Sequence, residues 1–171
     1  AFPLRPELGA RPFVIAVMGL PGAGKSVVAR AIEDQLGLRR VCRDRIRAAM
    51  FPRCNYSFIE KRAAYRSLLL ALEINCMLGA GSVIDGMTFS RRRELDRVAE
   101  LAAKHGIVTL PLLIECPPDV ARERVARDLA ANRHIALDRN PETVNDVLAR
   151  RDPPPEGTLI VDATLPAAEM C

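Results

Sequence analysis

The sequence is poor in several residue types that mark particular classes of protein. It has 171 residues and no tryptophan, and its aromatic residues make up only 4% of the chain. Only three of its 25 basic residues are lysines, and the arginines are spread along the chain. A nucleic-acid-binding surface is usually a basic stripe interleaved with aromatic side chains that stack on bases. The net charge of +4 is therefore weak support for a nucleic-acid partner.

Cysteine motifs and long apolar runs are also missing. The five cysteines form no CxxC pair and no cysteine–histidine ligand spacing, which predicts free thiols in a reducing compartment. The longest apolar run, SLLLALEINCMLGAG, is interrupted by Glu73 and Asn75 and is shorter than the roughly 20 residues that span a bilayer. No basic region followed by an apolar one marks a secretory signal. We therefore expect a cytoplasmic protein with no membrane partner.

Short apolar runs alternate with helical patterns along the chain. Buried parallel strands are typically continuous apolar runs, and we predict strands at residues 13–18, 40–43, 82–85, 107–115 and 158–162. Helices are predicted at residues 25–36, 44–50, 57–79, 91–104, 118–131 and 141–150. This alternation predicts an α/β protein of three layers, in which helices cover both faces of a five-stranded parallel sheet. Ligands of such sheets bind at the carboxyl ends of the strands.

The length bounds the number of domains. A chain of 171 residues is long enough for one domain with a core and too short for two domains of ordinary size. We expect a single domain over residues 1–171, in which residues 1–11 are a candidate flexible segment. The sequence contains no internal repeat and no domain linker.

The segment GLPGAGKS, residues 19–26, follows the first predicted strand and opens the first predicted helix. It fits the GxxxxGK[ST] pattern of a P-loop, or Walker A motif. In such a loop the backbone N–H groups point at phosphate oxygens, Lys25 would reach the β- and γ-phosphates, and the Ser26 hydroxyl would ligate Mg²⁺. We therefore predict ATP and Mg²⁺ as cofactors and Lys25 as a catalytic residue. The predicted nucleotide-binding residues of the loop are Pro21, Gly22, Ala23, Gly24, Lys25, Ser26 and Val27.

Motifs of other P-loop proteins are absent from the sequence. There is no NKxD-like guanine reader and no ABC-type signature, and the strand SVID at residues 82–85 is followed by Gly86 rather than by a second acidic residue. A GTPase, a transporter ATPase and a motor ATPase are thus disfavoured. A phosphotransferase is the best remaining interpretation.

A carboxylate and a guanidinium follow the second predicted strand. Asp44 and Arg47 lie three positions apart at the start of a helix, which places them on the same side, and the strand end faces the phosphate loop. We predict that Asp44 binds the acceptor hydroxyl and takes its proton as the general base, and that Arg47 binds the acceptor. The alternative is that Asp44 only caps the helix and Arg47 lies on the surface.

Asp85 ends the third predicted strand and is the Walker B counterpart. With Ser26 it is predicted to be a metal-binding residue that holds Mg²⁺ through water; the alternative is that it orients Arg47 through a bidentate ion pair. Asp85 and Thr88 are also predicted to bind the acceptor. A helix-capping turn is the competing interpretation for Thr88.

Two arginines, Arg124 and Arg127, share one face of the fifth predicted helix. Arginines at this place in a nucleotide-kinase-like topology stack on adenine and close over the transferring phosphate. We predict that Arg124 binds ATP and that Arg127 is catalytic, ahead of Arg122 and Arg133, within a lid near residues 124–140. A solvated helix face is the alternative.

These motifs together resemble a group of small P-loop kinases that includes the 5′-hydroxyl polynucleotide kinase domain, gluconate and shikimate kinases, chloramphenicol phosphotransferase, the zeta-toxin kinases and AAA_33-type ATP-binding proteins. The segments that carry the resemblance are GLPGAGKS, RDRIR, VIDG, RERVAR and LIVDAT. The resemblance implies a nucleoside-kinase-like P-loop NTPase fold with Asp44 as general base, Arg47 on the substrate, and Arg124 and Arg127 on ATP. Gly86 and Met87 depart from the polar residues of many relatives, which indicates a remodelled acceptor pocket.

The sequence therefore predicts a kinase that uses ATP and Mg²⁺ to move the γ-phosphate to a hydroxyl group. A small acceptor, such as an antibiotic or a sugar-like or nucleoside-like compound, is favoured because no basic stripe with interleaved aromatics is visible. A 5′-hydroxyl polynucleotide kinase is the alternative acceptor class. An ATP-binding regulatory module with slow hydrolysis is the alternative from another functional class. The identity of the acceptor and the oligomeric state are left open.

Overall fold

The computed structural model describes residues 11–131, 135–136, 138 and 140–165. Strands and helices alternate through this part of the chain as β1 (Phe13–Met18), α1 (Lys25–Leu36), β2 (Arg39–Cys42), α2 (Arg43–Met50), α3 (Phe58–Met77), β3 (Ser82–Asp85), α4 (Arg92–Ala103), β4 (Val108–Glu115), α5 (Pro118–Ala130), α6 (Glu142–Arg150) and β5 (Leu159–Asp162). Each of these elements agrees with its prediction to within two residues. The candidate flexible segment falls, but for Arg11, outside the described residues.

The five strands form one parallel sheet in the order β2-β3-β1-β4-β5. β1 is the central strand, and its residue Ile15 lies opposite Val83 of β3 and Leu110 of β4. Cys42 and Asp85, the last residues of β2 and β3, are register partners. The predicted three-layer α/β fold with a five-stranded parallel sheet is confirmed.

The buried strands supply one core on each face of the sheet. Successive side chains of β1 point to opposite faces: Ile15 and Val17 pack with residues of α1, α5 and α6, whereas Val14 and Ala16 pack with residues of α3 and α4. Because β1 is covered on both sides, its sequence is a continuous apolar run rather than an alternating one.

Local sequence signals explain where several helices begin and end. The Ser57 side chain accepts a hydrogen bond from the Glu60 N–H, so α3 begins one residue after the predicted start. Gly37, in the left-handed region at φ 67°, ends α1 by donating its N–H to the Glu33 carbonyl.

Among the described residues, no helix combines the length and the apolar character needed to cross a bilayer.

Candidate active site

The P-loop lies between β1 and α1, and two of its glycines have no room for a side chain. A Cβ on Gly22 would lie 2.4 Å from the Ala121 carbonyl oxygen of α5, and one on Gly19 would lie 2.6 Å from the Ile114 oxygen of β4. Both residues have positive φ, 80° and 137°. Glycine is therefore required both for the backbone conformation and for the close packing of the loop.

Lys25 is the first residue of α1 and is buried. Its ammonium donates hydrogen bonds to the carbonyl oxygens of Gly19, at 2.9 Å, and Leu20, at 2.7 Å. The lysine side chain thus folds back along the loop and lines the cleft that the loop borders. A cation held there at the N-terminal end of a helix favours the binding of an anion.

Ser26 and Asp85 bring two oxygen ligands together across α1 and β3. The Ser26 hydroxyl donates to Oδ1 of Asp85 at 3.0 Å, and the Gly86 N–H donates to the same oxygen at 2.7 Å. Mg²⁺ prefers oxygen ligands and usually takes only one or two from the protein, with phosphates and water supplying the others. The donor set at Ser26 and Asp85 fits this ion.

Arg40 is the cationic partner of Asp85. Asp85 is fully buried, and its Oδ2 lies 3.3 Å from an Arg40 guanidinium nitrogen. Arg40 also contacts Glu33 of α1 at 2.8 Å. The alternative that Asp85 orients Arg47 is wrong, because β2 lies beside β3 in the sheet and brings Arg40, not Arg47, to this carboxylate.

Asp44 and Arg47 form an ion pair in α2, with Asp44 Oδ1 3.0 Å from the guanidinium. Arg47 is buried, stacks over the Tyr56 ring at 4.6 Å and lies 3.9 Å from Asp138. The interpretation of Arg47 as a surface residue is therefore wrong. So is that of Asp44 as a helix cap, since Cys42 occupies the N-cap position and no side chain caps α2. Asp44 lines the cleft, and Arg47, which does not line it, contacts the Asp44 carboxylate from the protein interior.

Arg43 was not predicted as a site residue, although it directly precedes Asp44. It lines the cleft, and its guanidinium lies 3.8 Å from Asp44 Oδ1. Its buried Nε has no hydrogen-bond partner within the described part of the chain. This N–H is thus available to a ligand oxygen.

Gly86 joins the part of the site around the P-loop to the part around Asp44. It has φ 77°, and a Cβ on it would lie 3.0 Å from the Asp44 nitrogen and 3.1 Å from the Arg43 nitrogen. The glycine lets the turn after β3 pack directly on the start of α2. This close approach gives a physical reason for the departure from polar residues at this position.

Thr88 lies in the same turn and accepts a hydrogen bond from the Gly19 N–H through its carbonyl, at 3.2 Å. It lines the cleft as predicted. It does not cap a helix, because α4 begins at Arg92 with Arg91 as its N-cap residue.

The arginines of α5 lie on the opposite side of the cleft. Arg124 donates to the Ala163 carbonyl at 2.9 Å, whereas Arg127 is exposed and pairs with Glu123 at 2.7 Å; both line the cleft. Arg122 instead contacts Asn145 and Asp119. Arg133 and much of the predicted lid after Ala131 lie outside the described residues.

A single cleft of about 990 Å³ connects these groups. Most of the predicted site residues line it, namely Gly22, Gly24, Lys25, Ser26, Val27, Asp44, Asp85, Thr88, Arg124 and Arg127. Three others, Pro21, Ala23 and Arg47, are not among the lining residues. The lining residues that the sequence did not indicate include Arg30, Arg40, Cys42 and Arg43. Burial and the nearby Asp85 carboxylate raise the pKa of the Cys42 thiol to about 11, so this thiol is neutral.

The fold and the phosphate-binding cleft define a P-loop nucleotide-binding protein. The family model described as AAA domain (AAA_33) matches residues 14–154, so the chain belongs to this family. No curated protein sequence matches the chain.

Solved structures of small P-loop kinases share the fold. A gluconokinase from Sinorhizobium meliloti 1021 is 20% identical with a TM-score of 0.66, and the match covers 93% of this chain and 87% of that chain. The Mycobacterium tuberculosis APS kinase CysC in complex with AMPPNP and APS is 17% identical with a TM-score of 0.64, covering 93% and 92%. A sugar kinase from Janibacter sp. HTCC2649 is 19% identical with a TM-score of 0.64, covering 93% and 90%. The predicted resemblance to small P-loop kinases is confirmed at the level of fold and family.

Proposed function

We propose that the protein is a kinase that uses ATP and Mg²⁺ to phosphorylate a hydroxyl group of a small molecule. The observation that carries the proposal is that the Asp44 carboxylate lines the same cleft as Lys25 and the Ser26–Asp85 pair. A phosphate cradle alone fits any P-loop protein. A carboxylate in the same cleft, held by a buried arginine, can in addition bind an acceptor hydroxyl and take its proton.

The donor side would be formed by the loop and α5. The loop residues from Pro21 to Val27 would hold the phosphates, Ser26 and Asp85 would hold Mg²⁺, and Arg124 would contact the nucleotide. Bound ATP supplies the phosphoryl group, and Mg²⁺ neutralises charge on its phosphates. Lys25 and Arg127 would stabilise the negative charge of the transferring group.

On the acceptor side, Asp44 would accept a hydrogen bond from the substrate hydroxyl and take its proton as the oxygen forms its bond to phosphorus. The bond from phosphorus to the leaving oxygen breaks in the same transfer, and ADP is the second product. Arg47 keeps Asp44 in place through their 3.0 Å contact. Arg43 and Thr88 would hold oxygen atoms of the acceptor, with Asp85 close to them.

The volume of the cleft is compatible with a small acceptor. Small-molecule sites commonly have volumes of roughly 300–1,000 Å³, and this cleft of about 990 Å³ would hold the nucleotide and the acceptor together. The structural neighbours include a gluconokinase and an APS kinase. A 5′-hydroxyl polynucleotide kinase and an ATP-binding regulatory module remain the competing functions.

The test is the Asp44→Asn variant, assayed for phosphate transfer to a panel of polyols, nucleosides, aminoglycosides and 5′-hydroxyl oligonucleotides. Loss of a general base should lower the transfer rate roughly 10²- to 10⁴-fold, while affinity for a non-hydrolysable ATP analogue, measured by calorimetry, stays close to that of the wild type. Asp34→Asn, which changes an exposed carboxylate of α1, is the matched control and should leave both quantities unchanged.

The panel also separates the competing functions. Label that enters only oligonucleotide ends would contradict the small-molecule acceptor. Release of ADP that no acceptor raises above the rate in water would contradict the kinase and favour the regulatory module. Lys25→Ala should weaken phosphate binding in every case and so does not discriminate.

A further inference from the structure

The outward face of α3 carries a stripe of side chains directed away from the core. The opposite face, with Ala64, Leu68 and Leu72, is buried against the sheet. The outer stripe consists of Ile59, Ala63, Arg66, Leu70, Glu73 and Met77, at alternating spacings of four and three residues along the helix. This spacing is typical of helices that pack side by side along their length.

The apolar members of the outer stripe are unusually exposed for their size. The exposed fractions are 76% for Ile59, 57% for Leu70 and 70% for Met77, and Ile74 beside the stripe is 47% exposed. Several large exposed apolar side chains along one helix face mark an interaction site more often than isolated exposed residues do. No described residue that lines the candidate active site belongs to α3.

The charges of α3 suggest what covers this surface. Arg62 and Arg66 lie in the N-terminal half and Glu73 in the C-terminal half, and none of the three has an ion-pair partner among the residues that the structure describes. Arg66 and Glu73 are seven positions apart, roughly 10 Å along the helix, so they do not pair within one chain. The helix is therefore complementary in charge to an antiparallel copy of itself.

We propose that α3 packs antiparallel against α3 of a second copy, about a twofold axis near the middle of the helix. When the two stripes overlap antiparallel along their full length, Ile59 contacts the partner's Met77 and Arg66 contacts the partner's Leu70. The partner's Glu73 then lies opposite Ala63, between Arg62 and Arg66. In such a symmetric interface every contact occurs twice.

Parallel packing of the two helices would not produce this complementarity, because it would place Arg66 against Arg66 and Glu73 against Glu73. The contact is modest in size. A helix of 20 residues is about 30 Å long, so one helix pair is at the low end of specific interfaces and its affinity should be weak. We therefore expect a reversible monomer–dimer equilibrium in the micromolar range.

Sedimentation equilibrium of the full chain over a wide concentration range tests the proposal. The wild type should show a reversible dimer, and Glu73→Arg and Arg66→Glu should each weaken it about tenfold or more by creating like-charge contacts. The double variant, with both substitutions, should restore the dimer because the charges are exchanged. Leu70→Asp should abolish it.

Glu100→Arg, which makes the same charge change at an exposed position of α4, is the matched control and should leave the dimer intact. Thermal unfolding of each variant checks that it is folded, which matters most for the half-buried position Glu73. A wild type that stays monomeric throughout overturns the proposal. So does a double variant no better than the single ones, because Arg66 and Glu73 would then not face each other across the interface.

Discussion

At the scale of single residues, Gly86 shows how a missing side chain fixes the distance between two halves of the candidate site. Its N–H donates to Asp85, and its Cα lies against the backbone of Arg43 and Asp44. Its φ of 77° lies in the left-handed region that disfavours residues with a Cβ. Both the conformation and the contact thus depend on glycine.

Gly86→Ala should therefore reduce transfer activity by more than its loss of stability explains. The left-handed conformation should cost about 1–2 kcal/mol, and the added Cβ should push the start of α2 away and displace Asp44. Gly79→Ala is the control, because Gly79 has a similar φ of 64° but, among the described residues and apart from its neighbours in the chain, no atom lies within 4 Å of the position that a Cβ would take. Urea unfolding should show a loss of stability in both variants, larger for Gly86→Ala because of the added contact, and only Gly86→Ala should lose transfer activity. Equal loss of activity in both would contradict the contact-based explanation.

The buried thiol of Cys42 makes stability depend on alkaline pH. Its pKa is raised from 9.0 to about 11, first by burial and then by Asp85. In the unfolded chain the pKa returns to its ordinary value. Between these two values the unfolded chain loses a proton that the folded protein keeps, so this group lowers the free energy of unfolding as the pH rises through that window.

We expect this loss to reach on the order of 2 kcal/mol at the upper end of the window. The measurement is the urea-unfolding free energy of the wild type and of Cys42→Ala at neutral pH and at about pH 10.5. Other groups also titrate there, so the difference between the two proteins is the informative quantity. The alanine variant should lose less stability than the wild type on going to the higher pH, and equal losses would contradict the assignment.

At the scale of secondary-structure elements, the ion pairs of Arg40 connect one strand to a helix and to a second strand. It lies in β2, contacts Glu33 of α1, and neutralises Asp85 at the end of β3. The Asp85 side chain is 1% exposed. A buried carboxylate left without its cationic partner is strongly destabilising.

Arg40→Gln should consequently lower stability by about 3 kcal/mol and make the protein more dependent on Mg²⁺, since a cation bound at Ser26 and Asp85 would replace the missing positive charge. Thermal unfolding with and without MgCl₂ measures this, and the stabilisation by Mg²⁺ should be larger in the variant. Arg39→Gln, at the exposed neighbouring position that contacts Asn75, serves as control. An equal Mg²⁺ response in both variants and the wild type would contradict the expectation that the ion replaces the charge of Arg40 beside Asp85.

The elements were predictable from the sequence because their signals are local. The apolar run of β1, the Ser57 cap of α3 and Gly37 after α1 each mark a boundary within a few residues. The order of the strands carries no such local signal. The pairing of Arg40 with Asp85 follows from β2 lying beside β3, 45 positions apart in the chain for these residues, so the sequence did not predict it.

The same reasoning applies to Asp44 and Arg47. The spacing of Asp44 and Arg47 placed them correctly on one side of α2. It did not show that Arg47 is buried beneath Tyr56, because Tyr56 lies in the irregular segment before α3 and its position depends on tertiary packing. The sequence thus indicated which groups lie at the candidate site, but not which neighbours hold them there.

At the scale of the whole molecule, the parallel topology places the residues of the candidate site at one edge of the sheet, where the strands end. β1 and β3 are neighbours, and the loops that follow them hold the P-loop and the turn containing Gly86 and Thr88. β2 places the start of α2 beside that turn. Groups that are far apart in the sequence therefore line one cleft.

This shared cleft has a consequence for the kinetics. A phosphoryl group that passes directly from the nucleotide to the acceptor requires both substrates to be bound at once. Double-reciprocal plots of initial rate against ATP concentration, at several acceptor concentrations, should therefore give lines that intersect, as for a ternary complex. Parallel lines would indicate a phosphorylated enzyme intermediate. The hydrogen bond from Gly19 to the Thr88 carbonyl joins the proposed nucleotide and acceptor sites, so we further expect each substrate to lower the Michaelis constant of the other.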